Sequence, residues 1–185
     1  MIAIIPARGN SQRIPGKNIR IFRGQPIICY SIETARDSEL FDKIIVSTDD
    51  DLIASIALEA GAEVHRRPYD DGTKGTQEVA RDVLCHHYND ACVIYPTSPL
   101  LEWVDLALCY AQFLSRKVMF AMSVADPLAD AGCFYFGKRE SFMARIPLIH
   151  WNTMMYPLPP ERVCDINTQE DWEKAERMFD ALRRA

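Results

Sequence analysis

A loop near the N-terminus carries the side chains best suited to binding a highly charged ligand. Within eleven residues it presents three cations, Arg8, Arg13 and Lys17. Several adjacent negative charges, as in a triphosphate, are bound best by a point charge together with a guanidinium fork. Neutral hydrogen-bonding side chains and glycines, which let backbone amides approach an anion, complete the loop: Asn10, Ser11, Asn18, Gly9 and Gly16. The composition predicts a triphosphate site, and charge alone leaves a solvated basic surface loop open as the alternative.

The sequence lacks the signatures of several other chemistries. The loop does not have the G-x-x-x-x-G-K-[ST] spacing of a P-loop, and it contains no G-x-G-x-x-G. No G-x-S-x-G is present, so a hydrolase nucleophile has no support. Six cysteines lie far apart without a C-x-x-C pair, which argues against a zinc or redox site and indicates reduced thiols in a cytoplasm.

Length and composition indicate one globular domain over residues 1–185. The chain is 48% hydrophobic and 25% charged, close to the globular average. No apolar run approaches the roughly 18 residues that a membrane span needs, so no membrane partner is expected. A net charge of −5 disfavours nucleic acid as a partner of the domain as a whole.

Apolar runs that alternate with amphipathic segments predict the fold class. Continuous apolar runs are typical of strands buried on both faces, and a repeat of three to four residues is typical of helices. The predicted strands are 2–5, 43–47, 62–65, 91–95, 118–124 and 133–136, and the predicted helices are 27–36, 50–60, 76–88, 103–114 and one opening at 168–171. This order predicts a three-layer α/β fold with a mostly parallel central sheet. Because ligands bind outside the carboxyl ends of such strands, loops 7–18, 66–76 and 96–99 are expected to share one crevice.

Six short blocks carry a family resemblance. Residues 5–18, Ile-Pro-Ala-Arg-Gly-Asn-Ser-Gln-Arg-Ile-Pro-Gly-Lys-Asn, are similar to the opening signature of the cytidylyltransferases that activate acidic nine-carbon sugars. That family includes the acylneuraminate and pseudaminic acid enzymes. Further blocks match in the same order at 45–49, 67–68, 95–99, 130–135 and 165–172. The Asp-Ala-Gly-x-Phe-Tyr block and the Asp-Trp ending resemble the pseudaminic acid branch most.

The resemblance implies a fold and a reaction. The fold is a Rossmann-like nucleotidyltransferase fold, and the expected activity transfers CMP from CTP to an acidic nine-carbon sugar with release of pyrophosphate. Arg8 and Lys17 match the cations that hold the CTP phosphates and are the expected catalytic residues. Two alternatives remain open: a different sugar acid such as 3-deoxy-octulosonate, or a non-catalytic nucleotide-binding remnant.

The resemblance also implies a set of nucleotide-binding residues. Thr76 has a second explanation, because a threonine at this point could be the N-cap of the helix predicted from 76. Arg67 matches a nucleotide-contacting arginine, and 96–98 match a segment that lines the cytidine pocket. The complete expected set is Ala7, Arg8, Gly9, Asn10, Ser11, Lys17, Asn18, Arg67, Thr76, Pro96, Thr97 and Ser98.

Asp165 matches the first of two aspartates that bind magnesium in the family. The second aspartate is replaced here by Asn167, whose amide oxygen can coordinate but brings no charge. Magnesium is bound by hard oxygen ligands, commonly one or two carboxylates plus substrate phosphates. We therefore expect Mg²⁺ as the cofactor, held by Asp165 and Asn167 more weakly than by two aspartates. The same residues could form a turn before a helix capped by Thr168, and the two roles are compatible.

One segment is shorter than the resemblance predicts. Family members carry a longer stretch between the strand that ends near 124 and the Asp-Ala-Gly block, and this stretch helps to form the sugar pocket and a dimer arm. Only residues 125–129 intervene here. CTP and a sugar acid are the expected ligands, and a homodimer of the family type is expected to be weakened.

Overall fold

The computed structural model describes residues 1–11, 13–69, 72–126 and 129–184. Its strands are β1 Ile2–Pro6, β2 Ile21–Phe22, β3 Gln25–Pro26, β4 Lys43–Thr48, β5 Glu63–Arg66, β6 Ala91–Ile94, β7 Phe120–Ala125, β8 Ala129–Gly137 and β9 Thr153–Pro157. Its α-helices are α1 Ile27–Asp37, α2 Asp51–Glu59, α3 Thr76–Leu84, α4 Trp103–Arg116, α5 Arg139–Met143 and α6 Gln169–Leu182. Short 3₁₀ turns cover Lys17–Ile19 and Pro160–Arg162.

Seven strands form the central sheet in the order β5-β4-β1-β6-β8-β7-β9. β8 runs antiparallel to both of its neighbours, and the other strands of this sheet share one direction. Side chains of β1 alternate between two cores, as the two-residue period of a strand requires. Ala3 and Ile5 pack with α1, α2 and α4, whereas Ile2 and Ile4 pack with α3 and α5. The prediction of a mostly parallel sheet with helices on both faces is confirmed.

A third cluster fixes the C-terminal helix near the first loop. Phe22 contacts the rings of Trp172 and Phe179 edge-on at centroid distances of 5.5 and 5.4 Å, a favourable arrangement for aromatic pairs. Ile14 of the first loop and Ile166 of the segment before α6 are buried in the same cluster. Packing of α6 therefore holds the segment that contains Asp165 close to the first loop.

Several short elements were not predicted. The hairpin of β2 and β3 has two residues per strand, and α5 has five residues, too few for a periodic pattern. β9 lies at the sheet edge and ends in a proline. Thr76 is also not an N-cap: the capping position of α3 is Gly75, and no side chain caps this helix end. The Thr76 hydroxyl instead contacts the hydroxyl groups of Tyr95 and Tyr135.

Asp171 is the best-defined polar anchor of the segment before α6. Its Oδ2 accepts hydrogen bonds from the backbone N–H of Asn167 at 2.9 Å and of Thr168 at 2.8 Å. Thr168 is the N-cap and accepts from the Asp171 N–H, as predicted for Thr168. These donors, first the Asn167 N–H, lower the pKa of Asp171.

We expect Asp171→Ala to lower the free energy of unfolding by about 1 kcal/mol, the usual cost of losing a capping side chain. Urea unfolding at neutral pH measures it. A lowered carboxyl pKa means that this stabilisation is present above the ordinary aspartate pKa and is lost as pH falls through the lower folded value. The gap between wild type and variant should therefore close in strong acid. Glu170→Ala, in the same helical turn, is the control, and an equal loss there would contradict the assignment.

Candidate functional site: a cationic pocket at the carboxyl ends of the strands

The three loops predicted to meet form one pocket of about 330 Å³. Loops 7–18, 66–76 and 96–99 each contribute side chains to it, so the shared crevice is confirmed. Its wall combines cations, hydroxyls and a few apolar groups: Pro6, Arg8, Ser11, Arg13, Lys17, Asn18, Arg67, Gly72, Lys74, Gly75, Thr76, Val79, Tyr95, Pro96 and Thr97. A pocket of this size lies at the lower end of the range for small-molecule sites.

Arg8 is contacted both at its backbone carbonyl and at its guanidinium group. The buried side chain of Asn18 donates from Nδ2 to the Arg8 carbonyl oxygen at 2.9 Å. Gly72 lies directly against the guanidinium, and a Cβ at this position would overlap Arg8 Nη1. Gly72 also has a φ of +94°, a conformation that side-chain-bearing residues rarely adopt. A glycine at 72 therefore lets the loop cover Arg8 closely.

Gly9 connects the first loop to the end of β4. Its N–H donates to Asp49 Oδ1 at 2.8 Å, and a Cβ at Gly9 would come within 2.8 Å of Asp50. Ala7 is fully buried, and its N–H donates to the Ser47 carbonyl at 2.9 Å. These residues support the loop through their backbone and do not line the pocket described here.

Lys17 connects the first loop to the segment before α6. Its Nζ donates to the Ile166 carbonyl oxygen at 2.6 Å, between the two residues expected to bind magnesium. Burial lowers the pKa of Lys17; nearby Asp165 opposes this effect, while Arg13 and Arg8 add to it. The ammonium group is thus partly removed from water and is fixed by a neutral carbonyl oxygen.

Hydroxyl groups line another part of the pocket wall. Tyr135 Oη donates to Thr76 Oγ1 at 3.0 Å, and Thr76 Oγ1 lies 3.5 Å from Tyr95 Oη. Burial raises the pKa of both tyrosines. The three hydroxyls therefore stay protonated at neutral pH.

A second cavity of about 280 Å³ adjoins the first and shares Arg13, Lys17, Tyr95 and Thr97 with it. Its other wall is formed by Asp130, Gly132, Asp165 and Asn167. Asp130 Oδ1 accepts from the Gly132 N–H at 2.8 Å, and a Cβ on Gly132 would lie 3.5 Å from Asp165 Cγ. Both carboxylates thus lie beside one glycine. Elsewhere in the described parts of the chain, as here, no three His, Cys, Asp or Glu side chains are grouped as metal ligands.

Several expected site residues lie at the pocket wall and others do not. Asn10 is exposed and donates from Nδ2 to Tyr69 Oη at 3.0 Å. Ser98 is buried beside Cys133. Those at the wall of one of the two cavities are Arg8, Ser11, Lys17, Asn18, Arg67, Thr76, Pro96, Thr97, Asp165 and Asn167. Neither cavity is lined by Ala7, Gly9, Asn10 or Ser98.

The residues that sequence reasoning missed follow two patterns. Arg13 was noted as a cation but not placed in the site, and Tyr95 is the residue at which a predicted strand ends. Since ligands bind at strand carboxyl ends, this position was a usable signal. Asp130 and Tyr135 lie in the block 130–135 that matches the family, and Lys74 lies in loop 66–76, so each had a signal of position but none of its role.

The segment expected to be shortened connects β7 to β8, and its residues 127–128 lie outside the described residues. β7 and β8 pair directly up to Val124 with Asp130 and Ala125 with Ala129. This pairing brings Asp130 to the rim of the second cavity.

Among the described residues, no helix has the length and apolar character needed to cross a membrane.

Comparison with known proteins identifies the family. The family model described as cytidylyltransferase matches residues 2–130. The chain belongs to this family. It is 31% identical over 221 aligned positions to the pseudaminic acid cytidylyltransferase of Campylobacter jejuni, covering 96% of this chain and 95% of that one. It is 30% identical to the N-acylneuraminate cytidylyltransferase of Oncorhynchus mykiss, covering 95% of this chain and 49% of the relative.

The fold has a solved counterpart. A CMP:2-keto-3-deoxy-manno-octonic acid synthetase complexed with CTP superposes with a TM-score of 0.84 over 98% of each chain, at 14% identity. At that identity the likeness shows the fold, and the expected Rossmann-like nucleotidyltransferase fold is confirmed. The Campylobacter alignment spans more positions than the 185 residues of this family member. The relative therefore contains residues without a counterpart here, in agreement with a shortened chain.

We expect Gly72→Ala to weaken CTP binding at least about tenfold, which corresponds to ~1.4 kcal/mol. The new methyl group would displace the Arg8 guanidinium. Isothermal titration with CTP measures the effect. Gly24→Ala is a matched control, because Gly24 also has a positive φ but has no neighbour within 4 Å of its Cβ position. Equal CTP affinities for the two variants would contradict the role of Gly72.

Proposed function

We propose that this cytidylyltransferase transfers CMP from CTP to an acidic nine-carbon sugar of the pseudaminic or neuraminic type and releases pyrophosphate. The observation that supports it most is the pocket in which Arg8, Arg13 and Lys17 share one cavity with Pro96 and Thr97. Membership of the cytidylyltransferase family supports CTP as the nucleotide. The pseudaminic acid cytidylyltransferase of Campylobacter jejuni, which aligns over 96% of this chain, supports a nine-carbon sugar acid as the acceptor.

The reaction is an in-line substitution at the α-phosphorus. The anomeric hydroxyl oxygen of the sugar attacks and loses its proton to solvent, a new oxygen–phosphorus bond forms, and the bond to the pyrophosphate leaving group breaks. Arg8 and Lys17 would offset the charge on the phosphate oxygens and on the leaving pyrophosphate. Catalysis would consist mainly of positioning and electrostatic stabilisation, and we assign no general base.

The remaining contacts follow from position in the pocket. Ser11 and Asn18 lie beside the cations, so we assign them to the phosphate end together with Arg8 and Lys17. Arg67, Thr76, Pro96 and Thr97 would contact the nucleoside. Ala7, Gly9, Asn10 and Ser98 would support these residues from behind.

A divalent metal ion, Mg²⁺, fits the second cavity by the chemistry of its donors. Asp165 and Asp130 offer hard carboxylate oxygens, and the Asn167 amide offers a neutral one. Asn167 Nδ2 donates to Asp165 Oδ2 at 2.5 Å, so the two side chains are already paired. When bound, the ion would act as a Lewis acid on the phosphate oxygens. Asp165 and Asn167 are the proposed ligands, with Asp130 as an added carboxylate.

The direct pairing of β7 with β8 favours one alternative for the sugar that accepts CMP. A shorter segment beside the second cavity leaves less protein to enclose a large sugar, so a smaller sugar acid such as 3-deoxy-octulosonate is a second candidate. A remnant that binds CTP without transfer is the third. A homodimer weakened by the shortened segment and a cytoplasmic location stay predictions of the sequence.

Pyrophosphate release with CTP, Mg²⁺ and a panel of sugar acids tests the proposal. We expect release with pseudaminic or N-acetylneuraminic acid. Release only with 3-deoxy-octulosonate would support the smaller acceptor. CTP binding without release from any acid would favour the remnant.

We expect Lys17→Ala to lower kcat/KM for CTP by at least about 100-fold, the scale for losing a charge-stabilising group. Lys43→Ala is the control, since Lys43 lies at the amino end of β4 and pairs with exposed Glu63. Wild-type turnover in Lys17→Ala would remove this residue from the mechanism.

We expect Asn167→Asp to bind metal about tenfold more tightly, because it restores a negative charge to the donor set. Mn²⁺ binding in the presence of CTP, followed by the electron paramagnetic resonance of free Mn²⁺, measures this without turnover. Asn89→Asp adds the same charge away from both cavities. Unchanged affinity in Asn167→Asp would argue against a metal at this segment.

A further inference from the structure

The hydroxyl groups of Tyr135, Thr76 and Tyr95 form a short chain that ends in the nucleotide pocket. Tyr135 lies on β8, Thr76 opens α3 and Tyr95 follows β6. Thr76 and Tyr95 line the pocket, whereas Tyr135 is 1% exposed and lies behind them. The oxygen–oxygen distances along the chain are 3.0 and 3.5 Å.

The direction of the first hydrogen bond is fixed by burial. A tyrosine hydroxyl has one proton, and among the described residues Thr76 Oγ1 is the acceptor that the Tyr135 hydroxyl reaches. A buried donor without an acceptor is costly, so the Tyr135 proton must point to Thr76. The Thr76 proton is then excluded from the side that faces Tyr135.

Counting the protons on these hydroxyls shows whether the pocket wall donates or accepts a hydrogen bond. Thr76 can donate to Tyr95, in which case the Tyr95 proton faces the pocket. Alternatively Tyr95 donates to Thr76, and the Thr76 proton faces the pocket. In both arrangements the hydroxyl pair presents one donor to a bound ligand, and an acceptor on the ligand satisfies it.

We propose that Tyr135 is a positioning residue that makes this wall a hydrogen-bond donor and thereby selects cytosine over uracil. The inference rests on the proposed use of CTP. We place the triphosphate on the first-loop cations Arg8, Arg13 and Lys17, and the base against Thr76 and Tyr95 of the same pocket. Cytosine presents an unprotonated N3 acceptor on its pairing edge, whereas uracil carries a hydrogen on N3. A donor facing N3 therefore forms a hydrogen bond with CTP and opposes UTP.

Equilibrium binding of CTP and UTP, without any sugar acid, tests this. We expect the wild-type protein to bind CTP roughly 10- to 100-fold more tightly than UTP, equivalent to about 1.4 to 2.8 kcal/mol. The analogue 3-deaza-CTP, which lacks the N3 acceptor, should lose a similar factor. In Tyr135→Phe the Thr76 hydroxyl is free to turn its lone pair to the pocket, so the CTP/UTP ratio should fall to within about threefold of unity.

A double-mutant cycle separates positioning from packing. Thr76→Val should lower the CTP/UTP ratio and also the urea midpoint, because the Tyr135 proton loses its acceptor. Adding Tyr135→Phe to Thr76→Val should raise the midpoint again and leave the ratio unchanged. Thr76→Ser keeps the hydroxyl and should retain the wild-type ratio. Tyr156→Phe removes another buried tyrosine hydroxyl, outside the pocket, and serves as the control.

The outcomes are distinguishable from failure of the proposed function. Equal wild-type affinity for CTP and UTP, or a wild-type ratio in Tyr135→Phe, overturns the inference even if the protein transfers CMP. If the CTP and UTP affinities fall by the same factor in Tyr135→Phe, Tyr135 contributes only to packing, and the inference is again overturned. Base selection without transfer to any acid removes the enzymatic proposal and leaves this one standing. Loss of all CTP binding removes both.

Discussion

Five cationic side chains line one pocket, and the three of the first loop, Arg8, Arg13 and Lys17, must be held there before a nucleotide arrives. Like charges at close range repel, and the lowered pKa of Lys17 records Arg13 and Arg8 among its causes, after burial. The restraints on the loop are largely neutral: a side-chain amide on the Arg8 carbonyl and the Ile166 carbonyl on the Lys17 ammonium. Within the part of the chain that the structure describes, Arg8, Arg13 and Lys17 form no ion pair, so their charge is available for a ligand.

The pocket therefore has two chemically different walls. The cationic residues of the first loop suit phosphate oxygens, whereas Thr76 and Tyr95 with Pro96 suit a flat, polar base. The second cavity shares Arg13 and Lys17 of the cationic wall and also Tyr95 and Thr97, and it adds two carboxylates. An extended nucleotide would meet charge along its phosphates and directional hydrogen bonds at its base. Affinity would come mainly from the first, and discrimination between bases from the second.

The fold was largely predictable, because β1, β4 and β6 each contain a continuous apolar run and the intervening helices have clear periods. The first loop was also predictable, since its cations and glycines are adjacent in sequence. The block that contains Asp130 and Tyr135 was noted, but its place beside the pocket was not predictable, because β8 inserts antiparallel between β6 and β7 and no local pattern encodes that pairing. The role of Thr76 was misread for a related reason: its partners are tyrosines 19 and 59 residues away. Contacts of that range depend on packing that a sequence pattern does not show.

The bond from Lys17 to Ile166 spans 149 residues of chain. During synthesis at about 5–20 residues per second, roughly 7–30 s separate the two residues as they are made. For that interval the first loop, with its three cations, lacks the Ile166 carbonyl and the Trp172 and Phe179 rings of the cluster that buries Ile14. The first loop therefore gains its full set of contacts only after residues 166–179 have been made.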